Sequence, residues 1–201
     1  MHFEENYCYH VYNMGNNAQK LFFSDYDYIQ FLHKVRKEIL PNCEILAYCL
    51  MPNHFHFLLY ATARSIEPIN EITPHIQMLS RKFGTLQSSY SQSVNTRMKR
   101  SGSLFRQRTK AKPLNEYITY PNTKPLYAET CFFYIHQNPV KEGIVKKNEL
   151  WQYSSFADYC GFRNGTLCNK ALAAEILEID FINYYKNANK PLDDDELQNI
   201  W

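Results

Sequence analysis

No C-x-x-C pair occurs among the six cysteines, Cys8, Cys43, Cys49, Cys131, Cys160 and Cys168. A zinc ribbon and a thioredoxin-type motif are thereby excluded, and reduced, mostly buried thiols are expected. No apolar run approaches the ~18 residues that span a bilayer, and MHFEENYCYH at the start has neither the basic nor the apolar region of a signal peptide. The expectation is a cytoplasmic protein with no membrane partner. Internal repeats and low-complexity segments are also lacking, and 45 % hydrophobic with 21 % charged residues suits a globular chain.

The most informative absence is of one sign of charge. Between Glu71 and Glu116 there is no acidic residue, while Arg81, Lys82, Arg97, Lys99, Arg100, Arg106, Arg108, Lys110 and Lys112 are all positive. The whole chain is only +2, so its remainder is net acidic, ending in Asp193, Asp194, Asp195 and Glu196. A central basic segment of this kind points to a polyanion, with nucleic acid the obvious candidate.

Hydrophobic spacing orders the rest. YCYHVYN (7–13) reads as a strand ending at Gly15. Ser24 as N-cap with Asp27 three residues on opens a helix whose core residues are Tyr28, Leu32, Val35 and Ile39 and which Pro41 stops. CEILAYCLM (43–51) and HFHFLLYAT (54–62) form a hairpin across Pro52 and Asn53. Thr73 and Pro74 predict the start of a second helix, with Ile76, Leu79, Phe83, Leu86 and Tyr90 inward. Residues 93–103 read as a basic loop, 104–114 as a strand, and LYAETCFFYIHQN as a helix ended by Pro139. The order β, α, β, β, α, β, α predicts an α+β, ferredoxin-like (RRM-like) antiparallel sheet with helices packed on one face. Residues 1–145 are expected to form one domain, and 146–201 a C-terminal helical extension on or following it.

In MPNHFHFLLY (51–60) two histidines stand one residue apart in an apolar run. On a strand His54 and His56 share a face, roughly 6 to 7 Å apart, and Phe55, Phe57 and Leu59 point into the core. Two imidazoles on one face can converge on a metal ion, yet H-x-H alone fits burial as well. The helix ending near Asn138 adds to it: Tyr127, Cys131, Tyr134 and Asn138 share a stripe, which sets an amide one turn beyond a tyrosine. A tyrosine and an amide facing an H-x-H pair suit metal-assisted attack on a phosphodiester.

MPNHFHFLL (51–59), GSLFRQR (102–108), YIHQNPVKEGIV (134–145) and WQYSSFADYCG (151–161), with YHVYNMGNN (9–17) before them, resemble the REP-associated tyrosine transposases of the HUH single-strand transposase superfamily. The resemblance covers about residues 7 to 161. It implies a ferredoxin-like catalytic domain that cuts and rejoins single-stranded DNA beside a hairpin, a REP-like element or an insertion-sequence end. It further implies a covalent 5′-phosphotyrosine, a free 3′-hydroxyl and Mg²⁺ or Mn²⁺ as cofactor. Position by position, His54 and His56 fall on the metal-binding pair, Tyr134 on the nucleophile and Asn138 on a polar metal ligand. Arg81, Lys82, Arg97, Lys99, Arg100, Arg106, Arg108 and Lys110 are then the expected DNA contacts, and Tyr90, Phe105 or Tyr117 the expected stacking partners for unpaired bases.

The chain departs from the pattern in a longer segment before the nucleophile helix (116–128) and in the acidic tail. His10, His33, His75 and His136 are read as structural. Two other readings stay open: a domesticated nucleic-acid-binding protein without catalysis, and a two-histidine hydrolase with water as nucleophile. A homodimer is compatible with all three.

Overall fold

The computed structural model describes residues 1–114, 127–188 and 192. Tyr117, most of the 116–128 segment and the acids 193–196 lie outside them. Four strands, β1 (Cys8–Met14), β2 (Glu44–Met51), β3 (His54–Tyr60) and β4 (Lys110–Pro113), form one sheet in the order β2-β3-β1-β4 with all neighbours antiparallel. This is the predicted ferredoxin-like α+β arrangement. Helices α1 (Asp25–Glu38) and α3 (Met78–Arg97), with the short α2 (Ala63–Ile66) between strand and helix, cover one face. There Phe31, Val35, Leu79, Phe83, Leu86 and Tyr90 pack on Val11, Tyr48, Leu50, Phe55, Phe57 and Leu59.

The opposite face is not open. Helix α4 (Tyr127–Lys141) and the extension containing α5 (Phe156–Tyr159), α6 (Lys170–Leu177) and α7 (Tyr184–Asn187) lie against it. Cys131, Phe132, Tyr134, Ile135, Phe156, Tyr159 and Tyr184 pack on Cys8, Leu46, Ala47, Cys49, Met51 and Leu58. The sheet is apolar on both faces, so a helical layer on one side leaves a second surface that has to be buried too. A bulge in β2 helps, because the register steps from Ile45 to Ala47 and turns both Leu46 and Ala47 to the α4 side.

Local signals explain most element ends. Asp27 Oδ2 accepts from the Ser24 and Phe23 backbone N–H groups at 3.0 and 2.9 Å, which closes the start of α1 as its spacing predicts. Four boundaries differ from the expectation. Thr73 does not cap α3; Asn70 Oδ1 takes both its N–H and its hydroxyl at 2.8 Å, and the helix begins only after Gln77, whose side chain is tied to the Phe3 backbone. At its far end α3 runs through Ser93 to Arg97 because buried Val94 continues the Tyr90 stripe one turn on. Helix α4 passes through Pro139, and Gly143 ends it with φ +68°. There the Ile144 N–H donates to the Pro139 carbonyl at 2.9 Å and the Gly143 N–H to that of Val140 at 3.0 Å, a Schellman closure. The expected strand over 104–114 shrinks to Lys110–Pro113, because Leu104 and Phe105 are drawn into the core.

Candidate active site

Alternation along β3 works as the sequence implies. Phe55, Phe57 and Leu59 join the α1/α3 core, and His54, His56 and Leu58 face α4. On β1 the same alternation brings His10, Tyr12 and Met14 to that face, with Tyr12 opposite His56 and Met14 opposite His54. His10, read as structural, lies diagonal to His56, and its Nε2 is 2.8 Å from His56 Nδ1. That contact depends on the β1–β3 register, which no local pattern encodes.

Helix α4 supplies the other half. The Tyr134 ring stands edge-on to His56, centroids 5.7 Å apart at 86°, and to His10, 6.1 Å at 75°. Asn138, one turn on, hydrogen-bonds the Tyr134 hydroxyl, and its Nδ2 donates to the Tyr134 carbonyl at 3.2 Å. His54 and His56 are perpendicular with centroids 4.8 Å apart. The structure therefore brings Tyr134, Asn138, His54 and His56 together. His54, Tyr12 and Met14 are partly exposed, whereas Tyr134, Asn138 and His56 are buried. The cluster is open to solvent from the Met14–His54 end of the sheet.

Burial sets the charge states. It lowers His54 to about 4 and holds His56 well below its ordinary value, with the neighbouring histidines adding to the effect on His56. Both rings are neutral at pH 7, as metal ligation requires. Tyr134 is pushed up by desolvation, and the Asn138 hydrogen bond partly counters this. Among the described residues no group of three or more His, Cys, Asp or Glu side chains is disposed to hold a metal ion. What this chain offers is two neutral nitrogen donors beside an amide. That set fits a divalent cation completed by water and phosphate oxygens.

The same burial predicts an acid limit. His136, fully buried on α4, is lowered to about 3 by desolvation. Below pH 6.5 the unfolded chain takes up protons that folded His54, His56 and His136 refuse, so stability falls with pH until the folded groups titrate. Each contributes a slope of about 1.4 kcal/mol per pH unit. Urea midpoints measured from pH 7 to 4.5 should fall steadily; a flat profile would contradict the buried neutral state.

The basic residues divide into two groups. Arg106, Arg108, Lys99 and Lys110 are exposed in and around the 98–110 loop, and the Arg106 N–H donates to the Met14 carbonyl at 2.9 Å. Met14 pairs with His54, so this loop borders the open end of the cluster. Arg100 Nη2 donates to Gln19 Oε1 at 2.8 Å, and Arg97 is ion-paired with buried Asp27. Arg81 and Lys82 are elsewhere: Arg81 is about 24 Å from Arg97 along α3, and Lys82 Nζ is paired with Glu38 at 3.0 Å. The expected stacking residues are also displaced. Tyr90 is buried with its hydroxyl on the Leu21 carbonyl at 2.8 Å, and Phe105 is core. The apolar pull of Phe31 and Phe55 on both rings accounts for this. An exposed aromatic on that side is Tyr26, 58 % accessible, with the Arg97 guanidinium 5.7 Å from its ring centroid.

Sheet order and site together define a ferredoxin-like α+β protein in which histidines on a central strand meet a tyrosine on a helix across the sheet's second face. Among solved structures the chain is similar to that of the REP-associated tyrosine transposase bound to a REP hairpin, with 17 % identity and a TM-score of 0.54 over 82 % of this chain and 84 % of that one. The likeness shows a shared fold. No family model and no curated protein matches the sequence.

Proposed function

We propose that this chain is a transposase of the REP-associated tyrosine type, which nicks and rejoins single-stranded DNA beside a hairpin through Tyr134. The observation that carries the reading is the meeting of Tyr134 with His56 across the sheet, with Asn138 on its hydroxyl. The hairpin-bound transposase of the same fold, and the sequence motifs that end in this cluster, support it.

In the proposed step the Tyr134 phenol oxygen attacks the phosphorus, the P–O3′ bond breaks, and the phenol proton ends on the departing 3′-oxygen. The products are a 5′-phosphotyrosine and a free 3′-hydroxyl. Reverse attack reseals the strand without ATP, because one phosphoester has replaced another. A phenol with pKa ~10 is only about 0.1 % ionised at pH 7, a deficit of roughly 4 kcal/mol, and burial of Tyr134 deepens it. A divalent cation, Mg²⁺ or Mn²⁺, held by His54 and His56 would polarise a non-bridging phosphate oxygen and stabilise the leaving 3′-oxygen. Asn138 holds the phenol oxygen through its hydrogen bond and is the amide from this chain that would complete the cation's protein ligands. Desolvation by the surrounding side chains strengthens each of these interactions.

The test is incubation with labelled hairpin-containing single-stranded DNA and Mn²⁺ followed by denaturing electrophoresis. A protein–DNA band that survives denaturation is expected, and its absence with a matched substrate would sink the reading. The exposed loop arginines bear on affinity. Arg106→Glu with Arg108→Glu should weaken hairpin binding and reduce the salt slope by about 1.4, at ~0.7 per lost single-strand phosphate contact. An unchanged slope would place the DNA on another surface.

A further inference from the structure

Behind the two histidines stand two side chains that the proposed chemistry leaves without a role. Asn53, in the β2–β3 turn, places Oδ1 2.7 Å from His54 Nδ1. His10, on β1, places Nε2 2.8 Å from His56 Nδ1. Each candidate ligand is thus engaged at Nδ1 by a neighbour from a different part of the sheet.

The chemistry of the partners restricts the tautomers. An amide oxygen only accepts, so His54 Nδ1 carries the hydrogen and its lone pair is on Nε2. At His56 the contact is satisfied in two ways, with either imidazole as donor. Only donation by His56 Nδ1–H to His10 Nε2 puts the His56 lone pair on Nε2 as well. A shared cation needs one lone pair from each ring, and with Nδ1 of both engaged by neighbours that lone pair is the one on Nε2. A hydrogen bond at the far nitrogen also fixes ring orientation and raises ligand basicity. We propose that Asn53 and His10 are positioning residues that hold His54 and His56 as Nδ1–H tautomers, so that both present an Nε2 lone pair to one divalent cation.

Both partners are themselves held. His10 is fully buried, its ring 21° from the plane of the His56 ring and 4.7 Å between centroids from Tyr12. Tyr134 stands edge-on to the same ring, so His10 packs against the proposed nucleophile as well as a proposed ligand. The Asn53 carbonyl accepts from the Gly15 N–H at 2.7 Å. A Cβ at Gly15 would lie 2.0 Å from the Gln19 carbonyl oxygen, so only glycine permits that closure. The turn that carries Asn53 is thereby stitched to the end of β1, and Asn53 meets His54 from a fixed position.

The inference rests on His54 and His56 being ligands, and its test separates the two ideas. Long-range ¹H–¹⁵N spectra of the metal-free protein should show both histidines protonated at Nδ1. In Mn²⁺ titrations followed by electron paramagnetic resonance, Asn53→Ala and His10→Leu should each bind about 10- to 100-fold more weakly. Asn53→Asp keeps the oxygen acceptor, and His10→Gln puts an amide oxygen in place of the Nε2 acceptor; both should retain the affinity, which also guards against simple misfolding. An Nε2–H tautomer at either histidine, or unchanged Mn²⁺ affinity in Asn53→Ala and His10→Leu, would overturn the proposal. Wild-type protein that binds no Mn²⁺ would overturn the ligand reading itself, and the metal-free spectra keep the two failures apart.

Discussion

Tyr134→Phe should abolish the covalent protein–DNA band and lower strand cleavage by ~10³-fold or more, the scale seen when a nucleophile is removed. The ring stays in place, edge-on to His56 and His10, and only the hydroxyl with its Asn138 partner is lost. Folding should therefore suffer by no more than about 1.5 kcal/mol, one buried hydrogen bond. Hairpin binding should persist, since the exposed arginines and lysines lie outside the change. Cleavage that survives in Tyr134→Phe without an adduct would mean that water is the nucleophile, the two-histidine hydrolase reading. Binding without cleavage in the wild-type protein would instead favour a domesticated DNA-binding protein. Gel analysis of adduct and product with one labelled strand distinguishes all three.

Asp158→Ala should destabilise the fold by about 3 kcal/mol, through loss of a buried carboxylate that organises the C-terminal extension. Asp158 accepts from Arg163 Nε and Nη2 at 2.7 and 2.8 Å and from the Gly165 N–H at 2.9 Å. Arg163 in turn donates to the Gln152 and Ser154 carbonyls, both at 2.6 Å, and the next residues pair with β2 through Ser155 N–H to the Tyr48 carbonyl at 3.0 Å. Removing the acid leaves a charged guanidinium among carbonyls. Arg163 keeps partial contact with water, which places the cost at the low end of the range for broken buried pairs. Asp158→Asn retains an acceptor and should cost less. Urea unfolding followed by tryptophan fluorescence checks the order, since Trp151 Nε1 donates to the Leu50 carbonyl in the same region. A neutral Asp158→Ala would mean that the extension adds nothing to the stability of the sheet.

The extension also bears on how α4 is placed. His136, two residues after Tyr134, is 2.6 Å from Ser155 Oγ through Nε2 and 2.7 Å from the Tyr184 hydroxyl through Nδ1. One face of α4 is thus tied to residues 155 and 184 while Tyr134 meets the histidines. The W-Q-Y-S-S and Y-I-H motifs, far apart in the chain, meet at this joint.

Local physics was readable in advance. Alternation in His54-Phe55-His56-Phe57 separates a polar from an apolar face because successive strand side chains oppose one another, and Ser24 with Asp27 marks a helix start through its own hydrogen bonds. The order of elements predicts the ferredoxin-like sheet, and the acid-free stretch marks the basic loop. Features that depend on partners distant in sequence were not readable. Thr73 looks like a cap until Asn70 takes its hydrogen bonds, and Pro139 looks like a terminator although Gly143 one turn later closes the helix. Tyr90 and Phe105 look available for stacking until the α1 side chains enclose them. By itself the sequence determined which face of its own element each residue occupies, because that follows from side-chain type and backbone period. Only the tertiary structure decided that the Tyr134 ring stands edge-on to His56, that His10 stands behind His56, and that the two strand histidines are neutral. Register, packing and burial are properties of the assembled sheet and have no counterpart in a local stretch of chain.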